Sequence, residues 1–301
     1  MQPEMTPHEI ANEIGVRQIQ SRIYGEGETF VMVEGKTDEV LWEEYRSRED
    51  CTLYPAHGKD KIIAALGVAM NRGMCGIAGI VDADYWLITD ADELATENLL
   101  YDDCCPDMEV ILLQSPGLKK VLRHELPEED IDAAHDFADA LNRESQRLAA
   151  EIGYFRWLNE VKGYGLNFKS LRIADFVDAE TLALDRDWLA RRLAERRDEI
   201  SSEQLLRETA ELRENNPAEN LQLCRGKDVI AIMAHIMPVL YEAHFGEELP
   251  ENIREVFQEK RLAKEMRKAY EFIYFKQTSL FGCIQEWQSA NCPYKILKPE
   301  I

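Results

Sequence analysis

The sequence predicts an α/β protein: a mostly parallel sheet flanked by helices, followed by a mainly helical region. Three observations carry this. Short apolar runs, Phe30-Val31-Met32-Val33 and Ile77-Ala78-Gly79-Ile80-Val81, alternate with stretches of helical spacing, the pattern of βαβ units. Each run opens into carboxylates, Glu34 and Asp38 after the first, Asp82 and Asp84 after the second. From Pro127 onward Ile131, Ala134, Phe137, Leu141 and Leu148 recur at helical spacing.

Thr6-Pro7-His8-Glu9 reads as a helix start, with Thr6 as cap, Pro7 in the first helical position and Glu9 closing a capping box. Ile10, Ile14, Arg17 and Ile19 continue one face to about Ser21, and Gly25 and Gly27 break the pattern before the first strand. Val40, Leu41 and Tyr45 suggest a helix, and Cys51 to Tyr54 a second strand. Pro55-Ala56-His57-Gly58-Lys59-Asp60 is a turn into a helix carrying Ile62, Ile63, Leu66 and Met70; Gly73 and Gly76 precede the third strand. Val110-Ile111-Leu112-Leu113, after the acidic segment from Asp102 to Glu109, is the fourth strand candidate. The remaining helices break at Gly163, Gly165, Pro217, Gly226 and Gly246. The partition is an N-terminal helix (1–24), a sheet domain (25–125) and a mainly helical domain (126–301).

With 35 basic against 57 acidic residues the net charge is -22, which argues against indiscriminate nucleic-acid binding, a process driven by phosphate neutralisation. A nuclease would need local clusters of Lys and Arg. The seven cysteines include no CxxC pair, so reduced thiols are the simplest account, and no HExxH or Cys/His cluster has zinc spacing. No apolar run is long enough to cross a bilayer, and Met1-Gln2-Pro3-Glu4 lacks the start of a signal peptide, so the expected location is cytoplasmic.

In an open α/β sheet ligands settle outside the carboxyl ends of the strands. Glu34, Asp82 and Asp84 are therefore candidate ligands of one hard, oxygen-bound divalent metal. A lone acidic pair after a strand is more often a turn or a helix cap, and Asp38 fits the cap of the following helix better than a ligand. Gly58-Lys59-Asp60 is echoed by Gly226-Lys227-Asp228, each at a helix start where an anion is favoured. An ordinary glycine turn with an aspartate cap explains each equally well.

The arrangement Val33-Glu34-Gly35-Lys36-Thr37-Asp38, then Asp82-Ala83-Asp84, resembles the TOPRIM domain of topoisomerases, primases and certain nucleases, over about Thr29 to Leu122. The resemblance implies a TOPRIM-like sheet in which Glu34 does acid/base or metal work and Asp82 and Asp84 hold Mg²⁺, with Mn²⁺ as a substitute. Asp107-Met108-Glu109-Val110 resembles the additional acidic motif of overcoming-lysogenization-defect-type nucleases, which implies that Glu109 and Asp107 bind a second ion. Lys59 or His57 would then contact the scissile phosphate. The Gly-Lys-Asp segments resemble standalone TOPRIM proteins encoded beside ABC-type ATPases in bacterial anti-phage systems. That family implies a nuclease cleaving RNA, transfer RNA above all, once released from its ATPase partner, and acting as a homodimer.

A P-loop ATPase is the rival, since Gly35-Lys36-Thr37 mimics the end of a Walker A motif. The motif needs glycine where Phe30 stands, and a bulky strand residue cannot supply that loop. Two basic clusters remain: Arg191, Arg192, Arg196 and Arg197, and Lys260, Arg261, Lys264, Arg267 and Lys268. The second puts several cations along one helix face, followed by Tyr270, Phe272, Tyr274 and Phe275. Lys36, Lys227, Lys260, Arg261, Lys264 and Lys268 are the substrate-binding candidates, against the ordinary alternative of a solvated basic face with core aromatics. A DNA-cleaving TOPRIM nuclease, or a non-catalytic TOPRIM interaction or sensor subunit, stays open.

Overall fold

A computed structural model describes residues 5–23, 28–89, 96–125, 131–195, 197 and 199–299. Met1 to Glu4, the Gly25 and Gly27 break, Pro127 and Arg196 lie outside them. Two compact units form the chain: Met1–Cys104 with Phe272–Ile301, and Cys105–Glu271.

The first unit holds the sheet. Its elements are α1 (Pro7–Ile23), β1 (Thr29–Val33), α2 (Lys36–Trp42), β2 (Cys51–Pro55), α3 (Lys59–Asn71), β3 (Ile77–Ile80) and β4 (Leu99–Leu100). The four strands run parallel in the order β2-β1-β3-β4. The capping box at the start of α1 forms as expected: Thr6 N–H and Oγ1–H both donate to Glu9 Oε2, at 2.7 and 2.8 Å. Along α1 the buried stripe runs Ile10, Ile14, Gln18, while Ile19 is 62% exposed. Steps of four keep one face of a 3.6-residue helix, so Gln18 rather than Ile19 continues it; its amide donates to the Cys75 carbonyl at 2.6 Å. Phe30 and Met32 of β1 pack with Ile10, Ile14, Ile62 and Leu66. Gly79 lets α3 approach β3 closely: a Cβ there would lie 2.4 Å from Ile62 Cγ2.

Val110 to Leu113 is not a strand. It belongs to α4 (Met108–Gln114), and the fourth strand is the two-residue β4. All four apolar residues are buried on every side of a helix, and an apolar run without period does not distinguish that from a central strand. The sequence offered the distinguishing signal in Pro106-Asp107: the Asp107 side chain accepts the Val110 N–H at 2.8 Å, a helix cap.

The unit boundaries also differ from 125/126. The chain leaves the sheet unit at Cys104 and returns at Phe272 through α13 (Phe272–Phe275) and α14 (Ser279–Ala290). Aromatic packing holds the return: Phe275 stacks on Tyr45 at 5.0 Å and meets Trp42 edge-on at 5.4 Å. Leu297 bridges Arg46, and Lys298 N–H donates to the Tyr45 carbonyl at 2.9 Å.

The second unit is built on α6 (Ile131–Lys162), which buries Ala134, Phe137, Leu141 and Leu148 as expected. Around it lie α4, α5 (Gly117–Glu125), α7 (Arg186–Ala194), α8 (Ser202–Asn215), α9 (Asn220–Leu223), α10 (Gly226–Phe245), α11 (Glu251–Val256) and α12 (Glu259–Ala269). A hairpin of Val177–Asp178 with Ala183–Leu184 completes it. No helix among the described residues is long and apolar enough to cross a membrane.

Candidate functional site

The strand order dictates where a site can form. From β1 the chain moves outward to β2, then crosses back over β1 to β3, so β1 and β3 are neighbours from which connections depart in opposite directions. Such a switch point leaves a crevice above the strand ends. Val33 pairs with Ile80 in register. The next residues, Glu34 on one strand and Asp82 and Asp84 on the other, therefore emerge together. Glu34 Oε1 accepts the Asp82 N–H at 3.0 Å. Burial pushes the Glu34 carboxyl above its ordinary value of 4.5; the Asp82 N–H opposes this, the Asp84 charge adds to it, and Lys59 opposes it.

The turn between β2 and α3 is tied to the same corner. Ala56 N–H donates to the Val33 carbonyl at 2.9 Å and Gly58 N–H to the Glu34 carbonyl at 3.1 Å. His57 (φ 63°) and Gly58 (φ 126°) both take positive φ to make the bend, and the His57 side chain is left exposed. Lys59 follows, its Nζ 2.5 Å from Asp84 Oδ2 and 4.3 Å from the centre of the Trp86 ring. Trp86 is itself held edge-on to Tyr101 at 5.5 Å. Asp84 has φ 49°, a conformation few non-glycine residues adopt and one that Asp tolerates better than most. Trp86 is absent from the sequence reading; its position two residues beyond Asp84 is the only signal that pointed to it.

The N-cap of α2 is Gly35 rather than Asp38; Asp38 sits inside the helix at its third position and serves the cap from there, its Oδ2 accepting the Gly35 N–H at 2.9 Å. Lys36, in the first turn of α2, is exposed.

The three carboxylates have the donor chemistry of a hard-cation site, but they are not drawn into a closed cluster. Among the described residues the one group of ligand atoms within 4.8 Å of one another is Asp102, Asp103 and Cys104. That group has a structural task. Asp102 Oδ2 accepts the Leu280 N–H at 3.1 Å and Oδ1 the Cys104 N–H at 3.0 Å, so the buried carboxylate secures the start of α14. At the switch point, Glu34 is turned to the Asp82 backbone and Asp84 to Lys59.

The remaining candidates lie in the second unit. Asp107 is buried; Oδ1 caps α4 and Oδ2 accepts the Gly226 N–H at 2.7 Å. Glu109 accepts a hydrogen bond from Arg267 at 3.2 Å. The second Gly-Lys-Asp thus receives its anion from the chain itself, and Asp228 holds Arg156 through paired bonds of 2.7 and 2.9 Å. Lys227 is exposed. On α12, Leu262 and Met266 are buried and Lys260, Arg261, Lys264 and Lys268 face out, as the spacing predicts. Arg261 pairs with Glu255 at 3.0 Å and Lys268 with Glu265 at 2.8 Å, whereas Arg267 turns inward to Glu109. Of the aromatics beyond α12, Phe272 and Phe275 pack with Tyr45, a core role. The other basic cluster is engaged too: Arg192 pairs with Glu195 and Arg197 donates to the Gly165 carbonyl.

Fold and site together define an α/β protein with three carboxylates and one lysine gathered at the switch point of a parallel sheet. Comparison with protein-family models, curated proteins and solved structures finds no match.

Proposed function

We propose that the chain is a metal-dependent nuclease of the TOPRIM type, hydrolysing RNA phosphodiesters with Mg²⁺ or Mn²⁺. The observation that carries this reading is the meeting of Glu34 with Asp82 across the switch point, beside Asp84 and Lys59. A half-buried cluster of negative charge with one lysine as counterion is an arrangement that a divalent cation relieves, and hard oxygen donors suit magnesium. Glu34, Asp82 and Asp84 would hold the ion after side-chain rotation. Bound there, it supplies charge stabilisation to a phosphodiester undergoing displacement.

The chain's own groups do the rest. Lys59, kept in the crevice by Asp84 and the Trp86 face, is placed to take a phosphate oxygen. Glu34, its carboxyl raised by burial, is suited to acid-base work. The exposed cations of α12 hold backbone phosphates.

The wider role follows from resemblance: a cytoplasmic toxic effector of anti-phage defence, similar to AriB of the PARIS system, restrained by an ABC-type ATPase and active as a homodimer when released. The net charge of -22 suits docking to a basic patch on that partner.

The decisive experiment incubates the purified chain and its Asp82→Asn variant with transfer RNA, duplex DNA and single-stranded DNA, in Mg²⁺ and in EDTA. Mg²⁺-dependent RNA cleavage that the variant loses is the expected result. Equal cleavage by a folded variant puts the site elsewhere, and cleavage of DNA alone replaces the substrate class. Co-purification with the ATPase, and suppression of cleavage by it, tests the effector role.

A further inference from the structure

The second unit contains a cleft of about 450 Å³ with no part in the proposed site. It lies between α6 and α10, under the segment 168–176, with Glu259 at one edge. Its volume falls within the range of small-ligand sites, far larger than one inorganic anion requires.

The lining has three kinds of surface. Flat groups come first. The Arg156 guanidinium is locked in plane by its fork to Asp228 and lies 4.3 Å from the centre of the Phe168 ring. Phe176 is held by parallel stacking on Trp188 at 5.5 Å and 11°. Rigid aromatic and guanidinium planes are what an unstacked base rests on. Hydrogen-bonding edges come second. His235 Nε2–H donates to the Val177 carbonyl at 2.8 Å, which leaves Nδ1 as the ring's remaining polar atom. Asp228 and Glu259 add acceptors, Arg156 donors. Cations at the rim come third. Lys227, in the first turn of the twenty-residue α10, is exposed and has no ion pair among the described residues. Arg172 is 80% exposed although paired with Asp175.

We infer that this cleft binds a nucleotide, the base resting against the Arg156–Phe168 stack and the phosphate at Lys227 and Arg172. Arg156 and Asp228 offset each other inside the cleft, which leaves Lys227 at the rim for a phosphate. The phosphate needs only the rim. Two sources offer this chemistry, a free mononucleotide and one unpaired nucleotide of an RNA chain. The inference is independent of the metal site, which lies in the other unit.

The test is calorimetric titration of the full chain, in EDTA, with each of the four nucleoside 5′-monophosphates, inorganic phosphate, a five-nucleotide single-stranded RNA and an RNA duplex. Proteins compared are the parent, Lys227→Glu, Arg172→Glu and Ala231→Trp, the last filling the cleft. Each is also prepared with Lys260→Ala and Lys264→Ala, so that α12 does not report its own binding. Saturable binding of a mononucleotide or of the single strand, weakened at least tenfold by Lys227→Glu and by Arg172→Glu, is the expected result. Binding by mononucleotides identifies the free source; binding by the single strand alone identifies RNA. Absence of saturable nucleotide binding, binding matched by inorganic phosphate, or affinities unaltered in both charge-reversed variants overturns the inference. The two rim variants decide the matter if Ala231→Trp melts early.

Discussion

Asp107 holds Gly226: its Oδ2 accepts the Gly226 N–H at 2.7 Å while Oδ1 accepts the Val110 N–H at 2.8 Å. One buried carboxylate therefore closes the N-termini of α4 and α10, satisfying a free donor on each and meeting the positive end of both helix dipoles. A residue that the resemblance made a metal ligand is thus joined to the helix start that the sequence offered as an anion site.

Asp107→Ala should therefore cost about 3 kcal/mol, since two charge-assisted bonds to buried donors are lost. Asp107→Asn should cost less, one acceptor oxygen remaining. Urea unfolding in EDTA and in Mg²⁺ checks this. The same loss in both conditions marks a structural carboxylate, whereas a loss confined to Mg²⁺ would restore Asp107 as a ligand.

Glu34→Gln should leave the midpoint of thermal unfolding in EDTA at or above that of the parent, because a burial-disfavoured charge beside Asp84 is removed. Its RNA cleavage should fall by about 10²–10⁴-fold, the span of general acid-base catalysis. Thermal melting together with a cleavage time course measures both. A melting point lowered well below the parent would make Glu34 a structural residue.

Gly79 lets α3 pack close on β3. A Cβ there would sit 2.4 Å from Ile62 Cγ2 and 3.1 Å from Leu66 Cδ1. Gly79→Ala should cost about 1–3 kcal/mol by overpacking, and its loss should be less than additive with that of Ile62→Ala, which removes the clashing Cγ2. Additive losses in the double variant would show that the clash is not with Ile62.

On α12 the cations are not equivalent. Arg261 and Lys268 are already paired with glutamates, while Lys260 and Lys264 have no ion pair among the described residues. Replacing the latter two with Ala should reduce the salt slope of single-stranded RNA binding by about 1.4, twice the ~0.7 per phosphate contact. Replacing Arg261 and Lys268 should change it less. Fluorescence anisotropy across a range of salt concentrations gives the slopes, and equal effects of the two pairs would contradict the ranking.

The cysteines divide by burial. Cys75, Cys104 and Cys292 are exposed, whereas Cys51 and Cys224 are buried and burial pushes the Cys51 thiol up to about 12. Brief iodoacetamide treatment of the native chain near pH 8 should label Cys75 and Cys292 and spare Cys51 and Cys224, with Cys104 slower than the other exposed two because its hydrogen bond to Asp103 raises the thiol, as peptide mass mapping will show. Rapid labelling of Cys51 would mean that the edge strand β2 opens readily.

By itself the sequence determined the local elements whose causes are local. The first three strands are apolar runs punctuated by glycine and proline; the capping box Thr6 to Glu9 and the bond from Gly35 to Asp38 lie within four residues. The emergence of Glu34 and of Asp82 and Asp84 from strand ends was legible for the same reason. Only the tertiary structure decided what depends on distant partners. Val110 to Leu113 became a helix because Asp107 caps it and neighbours bury every side. Gly226-Lys227-Asp228 met Asp107 and Arg156, residues 119 and 72 positions away, in place of an external anion. Phe272 and Phe275 joined Tyr45 because aromatic area buried against the sheet unit outweighs continuity with the helices before them. Lys59 reached Asp84 and Trp86 through the crossing from β2 to β3, a matter of strand order that no window of sequence contains.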